Sequence, residues 1–349
     1  MSRLDDVLAL VAIESVSRNE SALANVVESK LRTNPALEVE RVGDNVVART
    51  LGFRGTRLIV AGHLDTVPGE PSKAEIIDDR VQGLGACDMK GSLAVMLELA
   101  TDSTPRSVEV TWVFYAREEI ARSESGLLEL VQLRPDLLQG DAAILGEPTG
   151  GVVEAGCQGT MRVGVELVGE RAHTARPFTG RNAIHRMGTL LTRVASYEPR
   201  VAVIDGVVFT EQLQAVGVEG GVAGNVVPDR AGCTLNFRVA PDHSRDEAFS
   251  WLCGFLGDST DEGDNVVILD WAPWAGPAMA NDRLRALVEI SGQPARAKVG
   301  WTDVATFAEL GIPATNFGAG DPLLAHHNDE FVTEAELSEF ARALSQWLR

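Results

Sequence analysis

RLIVAGHLDTV, residues 57–67, decides the fold. It is a short aliphatic run that ends in His63 and Asp65. A run of this length without alternation reads as a strand buried on both faces. VEVTWVFYAREE (108–119) and DAAILGEP (141–148) have the same texture. KGSLAVMLELA (90–100) and SESGLLELVQL (123–133) lie between them with helical spacing, and two amphipathic helices over 4–16 and 20–33 precede them. Strands alternating with helices predict an α/β fold, a mostly parallel sheet with helices on both faces. Ligands of such sheets bind at the carboxyl ends of the strands. All three runs end in histidine or carboxylates.

The texture changes near residue 160. TMRVGVELVGE (160–170) and GCTLNFRVA (232–240) alternate as antiparallel strands do, and RNAIHRMGTLLTRVASY (181–197) and DEAFSWLCGFL (246–256) read as helices. This predicts an α+β domain over 160–269 inserted into an α/β domain made of 1–159 and 270–349. A terminal helix, EAELSEFARALSQWL (334–348), closes the chain.

The bulk numbers bound the function. At 349 residues the chain is long enough for two domains. Its 50 acidic and 31 basic residues give a net charge of -19, which argues against a nucleic-acid partner. The first thirty residues hold no apolar core of the signal-peptide kind. No apolar stretch reaches the roughly 18–20 residues of a membrane span. The expectation is a cytoplasmic protein with neither nucleic acid nor membrane as partner. Cys87, Cys157, Cys233 and Cys253 form no C-x-x-C pair and read as small buried residues.

The strand ends carry the chemistry. His63 and Asp65, two apart, would share one side of a strand, which suits an imidazole metal ligand steadied by a carboxylate. A histidine there also serves structure alone. GLGACDMKGSLAVM (83–96) lacks the third glycine of a dinucleotide loop. It places Asp88 at a loop-to-helix junction, where a helix N-cap is the plain alternative. Glu118 and Glu119 diverge as neighbours, so one could hold an ion while the other takes a proton from water. A solvated acidic turn is the competing reading. Glu147 follows the third strand. His326 or His327, from AHHNDEFV (325–332), completes the set. Nitrogen and oxygen ligands without thiolate suit two zinc ions, with cobalt or manganese as substitutes.

From AGHLDTVP to AHHNDEFV the chain resembles the dinuclear-zinc metallopeptidase family of aminoacylases, acetylornithine deacetylase, glutamate carboxypeptidase and succinyl-diaminopimelate desuccinylase. LGEPTGGVVEAGCQGTMR, GERAHTAR, NVVPD with LNFR, and GWTDVATF with GIPATNFGAGD resemble its actinobacterial desuccinylase branch. The resemblance implies hydrolysis of the amide of N-succinyl-LL-2,6-diaminopimelate. The alternative is deacylation of another N-acyl amino acid such as acetylornithine. A non-catalytic binding protein of the same fold would lack Glu118 or a ligand, and none is missing.

By the same resemblance His63, Asp88 and Glu147 hold one metal, and Asp88, Glu119 and the late histidine the other. The pattern of a histidine, two variable residues and an acidic pair selects His326, counting back from Asp329 and Glu330. Asp65 orients His63, and Glu118 is the general base. His173 lies in the inserted domain, which the resemblance makes a ferredoxin-like lid and dimerisation domain. It would reach the partner subunit's site in a homodimer and donate to the oxyanion, a contact worth roughly 3–4 kcal/mol. On its own, GERAHTAR reads as a surface turn.

An acidic protein must offset its charge locally to hold a substrate with several carboxylates. Arg238 and Asn225 match residues that grip a substrate carboxylate, for which the guanidinium fork is suited. Arg176, Thr160 and Thr302 are further pocket candidates, Arg162 a looser one, and Trp301 would narrow the pocket. Cys157 and Gln158 stand where the better-known desuccinylases have basic residues, so the succinyl end is gripped differently, with Arg176 as the candidate.

Overall fold

The computed structural model describes residues 2–52, 55–69, 74–104 and 106–349. Two compact units emerge. One comprises the chain up to Gly156, Pro277–Lys298 and Thr302–Arg349; the other comprises Cys157–Gly276 and Val299–Trp301.

The first unit is built on an eight-stranded sheet. Its order is Leu37–Val42, Asn45–Thr50, Glu109–Tyr115, Arg57–His63, Ala142–Leu145, Ala314–Asn316, Glu154–Ala155 and Arg296–Ala297. The middle four strands, from Glu109–Tyr115 to Ala314–Asn316, run parallel. The hairpin over 37–50 adds antiparallel strands at one edge. At the other edge Glu154–Ala155 pairs antiparallel with Ala314–Asn316 and parallel with Arg296–Ala297. The outermost strand, Leu37–Val42, has partly exposed residues, three of them charged, and lacks the buried-run signal of the centre, while Asn45–Ala48 beside it is buried.

Alternate residues of the central strands explain the two covered faces. Leu58, Val60, Val110, Trp112, Phe114 and Ile144 join the core under helices Arg3–Val11, Ser21–Leu31, Gly91–Thr101 and Glu334–Trp347. Ile59, Ala61, Val113 and Leu145, pointing the other way, are equally buried. Helices Gly126–Leu133 and Val304–Glu309 pack on that side of the sheet. Burying both faces is what makes these strands read as continuous apolar runs. Among the described residues no helix is long and apolar enough to cross a membrane.

The second unit has a four-stranded antiparallel sheet in the order Gln212–Gly220, Arg230–Val239, Gly159–Val168 and Asn265–Ala272. Helices Ala183–Ala195 and Arg245–Leu256 fill the two crossovers, giving the β-α-β-β-α-β order of a ferredoxin-like fold. Met161, Val163, Val165 and Leu167 alternate into its core. Phe237 stacks on Trp251 at 5.2 Å between ring centroids. This unit starts at Cys157 rather than 160 and runs to Gly276 rather than 269. The later end has a clear cause: Asn265–Ala272 is a strand paired with Gly159–Val168, not the start of the returning α/β texture.

Candidate metal centre

Register brings the ligands together. His63 lies opposite Tyr115, and Ala61 lies opposite Leu145. Two residues further along each strand, Glu147 comes level with His63, while Glu118 and Glu119 follow Tyr115 around its turn. All of them gather at the carboxyl edge of the parallel sheet.

His63 is buried, and its Nδ1 lies 2.9 Å from the backbone oxygen of Asp65. A carbonyl can only accept, so Nδ1 carries the proton and donates. In a neutral ring Nε2 would be left bare, and it faces Asp88 Oδ1 at 3.1 Å. A lone pair against a carboxylate at that distance requires a proton or a metal ion between them. The same holds across the site, where His326 Nε2 lies 3.1 Å from Glu119 Oε1 and 3.6 Å from Asp88 Oδ2. The two oxygens of Asp88 thus face two different imidazoles, the disposition of a carboxylate shared by two ions. One ligand atom from each of His63, Asp88 and Glu119 fits within 4.8 Å of the others.

The electrostatics fit a cationic occupant. Burial and the neighbouring Asp88 raise Glu147 to about 7, and its Oε1 is buried without a hydrogen-bond partner. Burial and Glu147 push Glu118 well above the usual carboxylate range. Burial alone would raise Asp88, but hydrogen bonds from His326 and His63 hold it well below that range. Hydrogen bonding to Asp88 and Glu119 lifts His326 to about 10. This many buried anions would repel one another without added positive charge. The N/O donor set fits divalent zinc or a similar ion.

Asp65 departs from expectation. The strand ends at His63, so Asp65 lies beyond it and the two-residue alternation no longer applies. Its backbone oxygen, not its carboxylate, holds the imidazole; the carboxylate stands off at 3.7 Å. That carboxylate instead accepts from the amides of Glu118 and Glu119, at 2.9 and 3.0 Å, and from Ser17 Oγ at 2.7 Å. Asp65 therefore sets the turn that carries both glutamates. The N-cap alternative for Asp88 also fails. Lys90 occupies the N-cap of the following helix, and Asp88 sits in the turn before it, where its peptide to Met89 is cis.

The pocket candidates fall into two groups. Arg238 and Thr160 are cross-strand partners, and the guanidinium donates to the Thr160 hydroxyl. Arg238 is half-buried and has no carboxylate partner among the described residues. His173, Arg176 and Asn225 are exposed and share one loop cluster: Thr174 N donates to Asn225 O at 3.1 Å and Arg176 N to His173 O at 2.7 Å. Ala175 N donates to His173 Nδ1 at 3.0 Å, so the proton of the neutral ring sits on Nε2. Thr302 is buried and its hydroxyl is committed to Asn316 Oδ1 at 2.8 Å, because it opens the turn into Val304–Glu309 beneath the sheet. Arg162 points outward on its strand, paired with Asp270.

Three buried acids escaped the sequence reading of roles. Glu20 accepts the amides of Arg18 and Arg117, both at 3.0 Å, and so fixes the turn before Glu118. Glu330 bonds to the Asp88 turn. Glu154 pairs with Arg296 at 2.9 Å and with Lys298 at 3.0 Å, the latter an ion pair without hydrogen-bond alignment. None could be picked from 50 acidic residues, because only the fold shows which are buried. A second acidic group, Glu211, Asp242 and His243, has its two carboxylates tied to the guanidinium of Arg200.

Known proteins share this chain's sequence and shape. A protein from Mycobacterium tuberculosis, provisionally named succinyl-diaminopimelate desuccinylase, is 45% identical over 346 residues, covering 97% of this chain and 96% of its own. A succinyl-diaminopimelate desuccinylase from Corynebacterium glutamicum is 41% identical over 349 residues, covering 97% and 94%. The crystal structure of a tripeptidase from Staphylococcus aureus superposes with a TM-score of 0.80 at 20% identity, covering 99% of this chain and 96% of that one. The model of peptidase family M20/M25/M40 matches residues 59–349, the span that runs from the first central strand through every candidate ligand. The chain belongs to peptidase family M20/M25/M40.

Proposed function

We propose that this protein hydrolyses the amide of N-succinyl-LL-2,6-diaminopimelate, releasing succinate and LL-2,6-diaminopimelate. The observation that carries the reading is the Asp88 carboxylate set between two imidazoles in a chain 45% and 41% identical to proteins of that name over nearly full length. His63, Asp88 and Glu147 would hold one divalent ion, and Asp88, Glu119 and His326 the other, with zinc as the ion and cobalt or manganese as substitutes. When bound, such ions polarise the scissile carbonyl and lower the pKa of water.

The chain's own residues do the rest. Glu118, kept out of the usual carboxylate range by burial and Glu147, is suited to take the proton of the attacking water and return it to the leaving amine. Asp65 and Glu20 hold the turn that aims it. Arg238, without a carboxylate partner among the described residues, is suited to a substrate carboxylate. His173 would donate from Nε2 to the oxyanion of a partner subunit's substrate. An unpaired edge supports such a homodimer: Gln212–Gly220 ends its sheet with Val216 and Val218 exposed. The reaction is a cytoplasmic biosynthetic step in this reading.

The test is an assay of the purified, zinc-loaded protein against succinyl-diaminopimelate, acetylornithine and acyl-glutamates. Preference for acetylornithine would overturn the substrate. A mixing test addresses the dimer. Glu118→Gln and His173→Ala proteins, each inactive alone, should regain activity when their subunits are exchanged; no recovery would overturn action across the interface.

A further inference from the structure

The loop that carries His326 is locked onto the turn that carries Asp88, and one side chain makes the closure. Glu330 is 1% exposed. Its Oε1 accepts the amide of Gly85, and its Oε2 accepts the amide of Asp88 itself at 3.3 Å. Its own backbone oxygen accepts Gly83 N at 2.9 Å, and its amide donates to His327 O at 3.1 Å. Directly after it, Phe331–Thr333 pairs with Arg80–Gln82. On the far side of the turn, Cys87 Sγ donates to Asp321 O at 3.2 Å. Gly320, at φ +95, is the close-approach residue there: a Cβ on it would lie 2.6 Å from Cys87 Sγ. Two segments more than two hundred residues apart are thus fastened at both ends of the 83–88 turn.

Resting on the metal reading above, we propose that Glu330 is a positioning residue for the metal centre. It does not touch an ion. Its carboxylate fixes the Asp88 backbone relative to the His326 loop and so sets the spacing of the ligands that the second ion needs. Only a carboxylate offers an acceptor oxygen to each of two buried amides. An amide side chain of the same shape presents one oxygen and one N–H, and that N–H opposes a backbone donor. Residues that steady ligands in this way carry about 10- to 100-fold in metal affinity.

The experiment titrates metal-free protein with cobalt, following both heat and visible absorption, for the wild type, Glu330→Gln, Glu330→Ala and the exposed neighbour Asp329→Asn. Wild type and Asp329→Asn should bind two equivalents alike. Glu330→Gln should bind the second equivalent about 10- to 100-fold more weakly, with altered cobalt bands at saturation. Its metal-free melting temperature should fall by only a few degrees, about the cost of one buried amide left without an acceptor. Should Glu330→Ala fail to fold, Glu330→Gln carries the test. Wild-type affinity and spectrum in Glu330→Gln would overturn the proposal. So would equal weakening of both equivalents accompanied by a large loss of metal-free stability, the mark of a general packing role. A wild type that binds no second ion would instead overturn the metal reading, and this inference with it.

Discussion

His63 and His173 are both histidines that the sequence offers to chemistry, and the chain holds them in opposite ways. His63 sits at the end of a central strand, 1% exposed, with both ring nitrogens facing oxygens at about 3 Å. His173 sits in an exposed two-residue strand with one ring nitrogen taken by a local amide and the other open. The contrast extends to their surroundings. Around His63 most charged groups are buried or partly buried on a braced backbone: Asp65 is held by two amides and a hydroxyl, the amides of Glu118 and Glu119 by Asp65, and the amide of Asp88 by Glu330. Around His173 the loop over 173–176 and Asn225 is held mainly by backbone bonds. Buried charge is tolerated only when every group is satisfied, so an ion site comes with an interlocked frame. A residue that must meet a substrate or a second subunit stays exposed until it does.

The largest effect should come from the buried side. Glu118→Gln removes the group assigned to proton transfer without removing a ligand, so kcat should fall about 10²- to 10⁴-fold while two metal ions still bind. Loss of metal binding in that variant would make Glu118 a ligand. His326→Ala should weaken metal binding at least about 100-fold, beyond what loss of a ligand-steadying residue costs. His327→Ala, at an exposed position next to it, should leave metal binding unchanged. Equal losses from the two, measured by chelator competition, would undo the assignment. In the other unit, Arg238→Ala should lower kcat/KM for the acyl amino acid about 10- to 100-fold, the loss of hydrogen bonds to a charged group. Metal content should not change. An unaltered kcat/KM would remove Arg238 from the carboxylate clamp.

The smallest effect concerns stability of the inserted unit. Burial works to raise Asp264, but Arg186 and the amides of Val168 and Asp261 outweigh it and lower the carboxyl to about 2. A carboxylate depressed in the folded state contributes stability above the ordinary carboxylate range near pH 4, and that contribution disappears as pH falls through about 2. Asp264→Asn should therefore lower the melting temperature by about 2–4 °C at pH 7 and by less near pH 2. An equal drop at both pH values would show that charge is not what the residue supplies.

Much was legible before any coordinates. The buried runs at 57–63, 109–115 and 142–145 announced a parallel sheet, because strands covered on both faces need no polar alternation. The polar residues ending those runs announced where chemistry would gather. The alternation in 160–168 and 232–239 announced a second, antiparallel layer, because that sheet has helices on one face. The edge strand Leu37–Val42 and the strand Asn265–Ala272 were not legible, since partly exposed strands carry weak patterns.

Residue identity and local pattern determined the class of fold and the donor types, and the family resemblance chose His326 as the ligand candidate of its pair. Tertiary structure alone decided what each acid does. It made the Asp65 carboxylate the anchor of the glutamate turn, set the buried Thr302 hydroxyl against Asn316, and picked Glu20 and Glu330 out of a strongly acidic chain. The physical reason is that a strand's two-residue period ends with the strand. Beyond it a carboxylate's role is set by which buried amides come within about 3 Å, and those lie far away in sequence.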